Sequence, residues 1–139
     1  MYNVLMKGDV YMKASFEKFD RGTFVSPYGR KNFEDLEWNA HPVFEGVELK
    51  HLLSAKDTGG EFSYHLVRIA PNKSIGKHIH ETQLETHEVI AGDGICINEG
   101  TAINYECGVV TILKKGTPHS VTAGSDGLYI FAKFIPALC

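Results

Sequence analysis

Beyond residue 60 the chain is a succession of short apolar runs, at 62–70, 86–90, 94–97, 109–113 and 128–134, each rich in β-branched and aromatic residues and bounded by Gly, Pro, Asn or Asp. No segment there sustains a 3.6-residue apolar period, and no internal repeat or low-complexity tract breaks the pattern. The spacing predicts an all-β sandwich or barrel, with helix confined to about one turn near Phe33-Glu34-Asp35-Leu36.

Residues 1–60 alternate poorly and carry turn chemistry at Asp20-Arg21-Gly22, Ser26-Pro27-Tyr28-Gly29 and Asp57-Thr58-Gly59-Gly60. They read as an irregular N-terminal arm with a few short strands, one of them Val47–Leu53, and Gly59-Gly60 as a hairpin turn into the next strand. The division expected is an arm over 1–60 and a barrel core over 61–139, together one domain of ordinary size. The arm is aromatic for a solvated segment, with Tyr2, Tyr11, Phe16, Phe33 and Trp38 among its rings, so part of it is expected to pack across a partner's sheet in a homodimer.

The formal net charge is −3, and Lys and Arg are scattered without a run able to track phosphates. Nucleic acid is therefore not an expected partner. No apolar run reaches the ~20 residues of a membrane span, and the first residues lack the basic-then-apolar order of a leader, so the chain reads as cytoplasmic, with no membrane partner. Cys96, Cys107 and Cys139 are odd in number and show no CxxC spacing, which argues against a disulfide framework and a thiolate zinc cage; each reads as a buried or terminal thiol.

The chemistry concentrates around His78-Ile79-His80. On a strand, side chains repeat every second residue, so His78 and His80 project from one face about 7 Å apart at Cα, near enough to share an ion. The helical HExxH motif fails because Leu84 stands where its second histidine is needed. Glu85 opens a run, Glu85 to Gly92, that reads as a strand ending at a turn glycine, and its carboxylate would face His80 across a ladder. His119 follows the tight turn Lys115-Gly116-Thr117-Pro118, which delivers a further imidazole from a distant strand. Glu81 and Glu88 are rival carboxylates, but Glu81 shares no face with His80 and Glu88 has the opposite parity to Glu85. A set of three His and one Glu suits one divalent transition metal (Fe, Mn, Ni, Co, Cu or Zn) better than Ca or Mg, and leaves open positions. His87 has the parity of Glu85 and points the same way, either as a polar group beside the metal or as a packed histidine bonded to a neighbour. His41 and His51 have no partner in the pattern and read as structural or exposed.

The pattern His78-x-His80-x4-Glu85-x6-Gly92, followed by Gly108-x7-Gly116-x2-His119, resembles the paired motifs of the cupins over about residues 60 to 136. That resemblance implies a double-stranded β-helix, the cupin jelly-roll barrel, with His78, His80, Glu85 and His119 binding one divalent metal inside it. Three positions depart from the family pattern: Asn72 where glycine is usual, Lys114 where proline is usual, and Ala123 where asparagine is frequent. In germin-like members a polar residue on the strand before the first motif points into the pocket, and here that position is His65, with a satisfied core histidine as the alternative.

Two functions are expected to compete. One is a metal-dependent enzyme acting on a small polar molecule, a sugar or carboxylic acid, by dioxygenase chemistry or by isomerase, lyase or decarboxylase chemistry, with His87 or His65 as candidate catalytic groups. The other is a non-catalytic sensor or binding module for a small ligand; the arm and barrel consume the chain and leave no room for a helix-turn-helix, which favours the enzyme.

Overall fold

Two long antiparallel strands organise the molecule in the computed structural model, which describes residues 13–139. They are β7 (Leu84–Asn98) and β10 (His119–Ile135), central in a sheet of eight strands. Preceding them are a helix α1 over 13–20, a hairpin β1 (Thr23–Ser26) and β2 (Gly29–Asn32), and a 3-10 turn Phe33–Asp35. Then come β3 (Asn39–Ala40), β4 (Val47–Leu53), a one-turn helix α2 (Ala55–Thr58), β5 (Ser63–Ile69) and β6 (Ser74–His78). Between the long strands lie β8 (Thr101–Glu106) and β9 (Val110–Leu113).

The sheet runs β3-β4-β5-β10-β7-β8, with β6 on the first part of β10 and β9 on the first part of β7. Each long strand therefore serves two halves of the sheet. Residues 128–135 of β10 pair with β5 and with 84–92 of β7, whereas 119–123 pair with β6 and with 94–98 of β7. The bend between the halves falls at Gly92 and Gly127, where the β7–β10 register shifts between Ala123 and Leu128. Gly92 has φ 80°, and a Cβ on it would sit 2.1 Å from the Gly127 carbonyl oxygen. Only glycine allows the two backbones to approach so closely. Both long strands exceed the sequence expectation: 86–90 and 94–97 are one strand, and Gly92 is an internal bend where a terminating turn was expected. The ladder to β10 resumes on both sides of the glycine, so the strand continues through it.

Alternation along the strands sorts residues to two cores. Ile130, Val67, Val89, Val121, Leu128 and Tyr105 meet between the halves. On the outer face Leu66, Phe131 and Leu52 pack against Phe16 of α1 and Phe33. The segment 13–20 is thus helical where an irregular arm was expected, because Phe16 is buried on the outside of the sheet, 2% exposed. Lys50 ties the arm down: buried on β4, its ammonium donates to the Asp20 carboxylate and to the carbonyl oxygens of Asp20 and Phe33. The arm's Phe16, Phe33 and Trp38 accordingly pack within this chain; Tyr2 and Tyr11 lie outside the described residues. Val47–Leu53, expected as a strand, pairs with β5 in the large sheet. Asn72, standing at the glycine position of the cupin pattern, holds a left-handed φ of 63°, which asparagine tolerates better than most residues. Among the described residues no helix is long and apolar enough to cross a membrane.

Gly92→Ala is expected to lower the unfolding free energy by about 3 kcal/mol, since the added methyl meets backbone and the backbone conformation disfavours it. Chemical denaturation of the variant reads this directly, and an unchanged midpoint would contradict the assigned bend.

Candidate functional site

The first half of β10 brings His119 directly opposite His78 of β6 in the antiparallel ladder. His80 does not share the strand of His78: β6 ends at His78, and the chain leaves the ladder over 79–83 before β7 begins. It still faces the same point. The Gly116 N–H donates to the His80 carbonyl oxygen at 2.8 Å, fastening the turn before His119 to the loop that carries His80. Glu85, second residue of β7, completes a group in which one donor atom from each of His78, His80, Glu85 and His119 lies within 4.8 Å of the others.

The unused valences of these side chains point inward. His78 Nδ1 is 2.7 Å from the Gly76 carbonyl oxygen and His119 Nδ1 is 3.3 Å from that of Thr117. A carbonyl only accepts, so both Nδ1 atoms carry the proton and both Nε2 atoms are bare. His78 Nε2 and His80 Nε2 stand 3.1 Å apart. Glu85 Oε1 is 3.3 Å from His119 Nε2 and 3.6 Å from His80 Nε2. Glu85 Oε1 and His119 Nε2 are buried without a hydrogen-bond partner among the described residues. Buried polar atoms are rarely left orphaned, and of the three found among the described residues, Asn98 Oδ1 being the third, these two are potential metal donors aimed at one point. The donor set fits a transition-metal ion.

Behind the carboxylate runs a second line of contacts. Glu85 Oε2 is 2.8 Å from His87 Nε2, and His87 Nδ1 is 2.8 Å from the Tyr105 hydroxyl. Every second residue of β7 faces inward, which is why Glu85 and His87 are both buried. His87 therefore orients Glu85 and does not itself reach the point the four donors share. Tyr105, on β8, was not expected at the site; its only sequence signal is inward parity on a strand. Burial alone would raise the Glu85 carboxyl, but His87, in hydrogen-bond contact with it, outweighs this and holds it well below the usual carboxylate range. Burial also keeps His78 and His80 below the ordinary histidine value, so both stay neutral as metal ligands must.

The rival carboxylates are engaged elsewhere or exposed: Glu88 accepts from Lys133 Nζ at 2.8 Å, and Glu81 is exposed. His65 is fully buried on β5, with Nε2 2.7 Å from Ser63 Oγ and Nδ1 2.7 Å from His51 Nδ1. The Phe134 ring packs against both His65 and His80. His41 Nδ1 accepts from the backbone N–H groups of Val43 and Phe44. Solvent reaches the cluster past His78 and His80, which are half-buried, while Glu85 and His119 lie deeper. A cleft of about 510 Å³ lined by Phe16, Arg68 and Tyr129, among others, is on the outer face, away from these histidines.

No protein-family model matches the chain. It is 28% identical over 91 residues to an oxalate-binding protein of Thermotoga maritima, a match covering 64% of this chain and 75% of that protein. A solved structure described as a predicted oxalate decarboxylase from Thermotoga maritima aligns with a TM-score of 0.64 at 25% identity, over 73% of this chain and 91% of that one. An RmlC-like cupin from Shewanella frigidimarina aligns with a TM-score of 0.67 at 15% identity, over 78% of this chain and 90% of that one. The structural neighbours are cupin-type proteins, and this chain is a small all-β domain of the same fold.

Burial, reinforced by the neighbouring His51, pushes His65 down to about 4. The unfolded chain then binds the extra proton first, so in metal-free protein stability is expected to fall as pH drops from about 6.5 to about 4, by on the order of 3 kcal/mol from this residue. Urea denaturation across that interval checks it; a flat profile would contradict it.

Proposed function

We propose that this cupin-fold chain binds one divalent transition-metal ion through His78, His80, Glu85 and His119 and acts on a small carboxylic acid. The observation that carries the reading is the pair of orphaned buried atoms, Glu85 Oε1 and His119 Nε2, beside the Nε2 atoms of His78 and His80. A divalent ion held there supplies a Lewis acid with open positions suited to carboxylate oxygens. The chain's part is preorganisation. The carbonyls of Gly76 and Thr117 fix the tautomers of His78 and His119, and Tyr105 and His87 fix the free rotation of Glu85. His87, with both ring nitrogens engaged, is a positioning residue in this reading. The likeness to an oxalate-binding protein and to a predicted oxalate decarboxylase supports oxalate and related small acids as the ligand class, with decarboxylase chemistry preferred to dioxygenase or isomerase chemistry.

A second reading, a module that binds such an acid without converting it, is favoured by the name of the Thermotoga relative. One experiment separates them. Protein loaded with Mn2+, Fe2+, Co2+, Ni2+, Cu2+ or Zn2+ is offered oxalate and related mono- and dicarboxylic acids. Loss of the acid with release of CO2 supports the enzyme, metal-dependent binding with recovery unchanged supports the binding module, and absence of both contradicts the proposal.

His119→Ala is expected to weaken metal binding by more than about 100-fold, and His87→Ala by about 10- to 100-fold, because the second acts only through Glu85. Titration of each variant with the metal, followed by elemental analysis, gives both numbers; equal affinities across the three proteins would contradict the assignment.

The homodimer is part of the proposal. Ile95, Ile97, Val110 and Ile112 are exposed on β7 and β9, apolar surface of the kind that associating proteins cover. Sedimentation is expected to give a dimer, and Ile112→Lys a shift towards monomer; a wild-type monomer at high micromolar concentration would contradict it.

A further inference from the structure

A second cluster of metal-ligating side chains stands apart from the first. His51 on β4 lies opposite His65 on β5 in the ladder, and the Cys139 thiol joins them, with one donor atom of each within 4.8 Å of the others. We propose that His51, His65 and Cys139 form a second metal site, one that takes Zn2+.

The two imidazoles meet through like atoms, Nδ1 to Nδ1 at 2.7 Å, with their rings perpendicular. One Nδ1 must carry a proton for that contact to be favourable, and a cation between two bare nitrogens satisfies both at once. Tetrahedral zinc with Zn–N near 2.0–2.1 Å places its nitrogens about 3.3 Å apart, so the rings need to part by about 0.6 Å. Ser63 prepares the buried ring. Its Oγ lies 2.7 Å from His65 Nε2 and accepts the Leu138 N–H at 2.8 Å. With Nε2–H donated to Ser63, Nδ1 of His65 is left bare, the arrangement that metal-binding histidines commonly show.

The same serine fixes the backbone next to Cys139. The Ala55 N–H donates to the Cys139 carbonyl oxygen at 2.5 Å, and the Ala137 N–H to that of Gly60 at 3.1 Å. Three donors from separate segments are thus delivered by hydrogen bonds, which a chance encounter of an exposed thiol does not explain. Cys139 is exposed and His51 half-buried, giving an ion a route in. A thiolate with two imidazoles is softer than three imidazoles with a carboxylate, so this site favours thiophilic Zn2+. Binding exchanges one proton: the thiol loses its hydrogen as the sulfur–zinc bond forms.

Co2+ serves as the probe, because a thiolate ligand gives it a charge-transfer absorption in the near ultraviolet that the His78, His80, Glu85 and His119 set cannot produce. Metal-free protein titrated with Co2+ is expected to develop that band with one equivalent at this site and to lose it when Zn2+ is added. Cys139→Ser should abolish the band, and His51→Ala should weaken the binding that produces it at least tenfold. Cys107→Ser and Glu85→Gln should retain it, the latter showing that the signal is independent of the first site. No thiolate band, a band that survives Cys139→Ser, or a band lost in Cys107→Ser would overturn the proposal.

Discussion

The close approach of β7 and β10 at Gly92 and Gly127 is the constraint from which the rest of the architecture follows. Because neither position carries a side chain, two paired strands bend together and each contributes to both halves of the sheet. Glu85 and His87 lie on one side of that bend in β7, while His119 lies on the other side of it in β10. A straight pair would keep them apart. The fold thus converts a local backbone allowance into convergence of residues that stand 34 positions apart in sequence, counted from Glu85 to His119.

Convergence alone would leave polar groups in conflict, and the surrounding hydrogen bonds resolve most of it. His78 and His119 spend one nitrogen on a backbone carbonyl, and Glu85 spends one oxygen on His87, so the remaining atoms face a common point. Burying an uncompensated acceptor costs on the order of 1–3 kcal/mol, and more when it is charged. Natural cores seldom keep such groups without a purpose, and a cation relieves both orphans together.

Much of this was legible in the sequence for identifiable reasons. Period-two alternation placed Glu85 and His87 on the inner face and Glu88 on the other, and the structure has that parity. The β class was legible in β-branched runs cut by turn residues. What misled was punctuation: Gly92 looks like a terminator, whereas a glycine with positive φ inside a long strand marks a bend, and only the pairing partner distinguishes the two. Alternation carries no information about where a ladder ends, so it cannot reveal that β6 stops at His78 and leaves His80 in a loop. The helix at 13–20 is a short element with one deeply buried aromatic, too brief for its period to stand out. His51 looked unpartnered because its neighbours, His65 and Cys139, come from cross-strand register and from residues far along the chain. Spacing motifs detect ligands that are close in sequence, and this cluster has none.

The most direct test of the account is a crystal structure of metal-loaded protein with an anomalous difference map recorded at the metal's absorption edge. A peak is expected between His78 Nε2, His80 Nε2, His119 Nε2 and Glu85 Oε1, at about 2.0–2.2 Å from each. Full metal occupancy with no peak among these four side chains, or with a peak only elsewhere on the molecule, would contradict it.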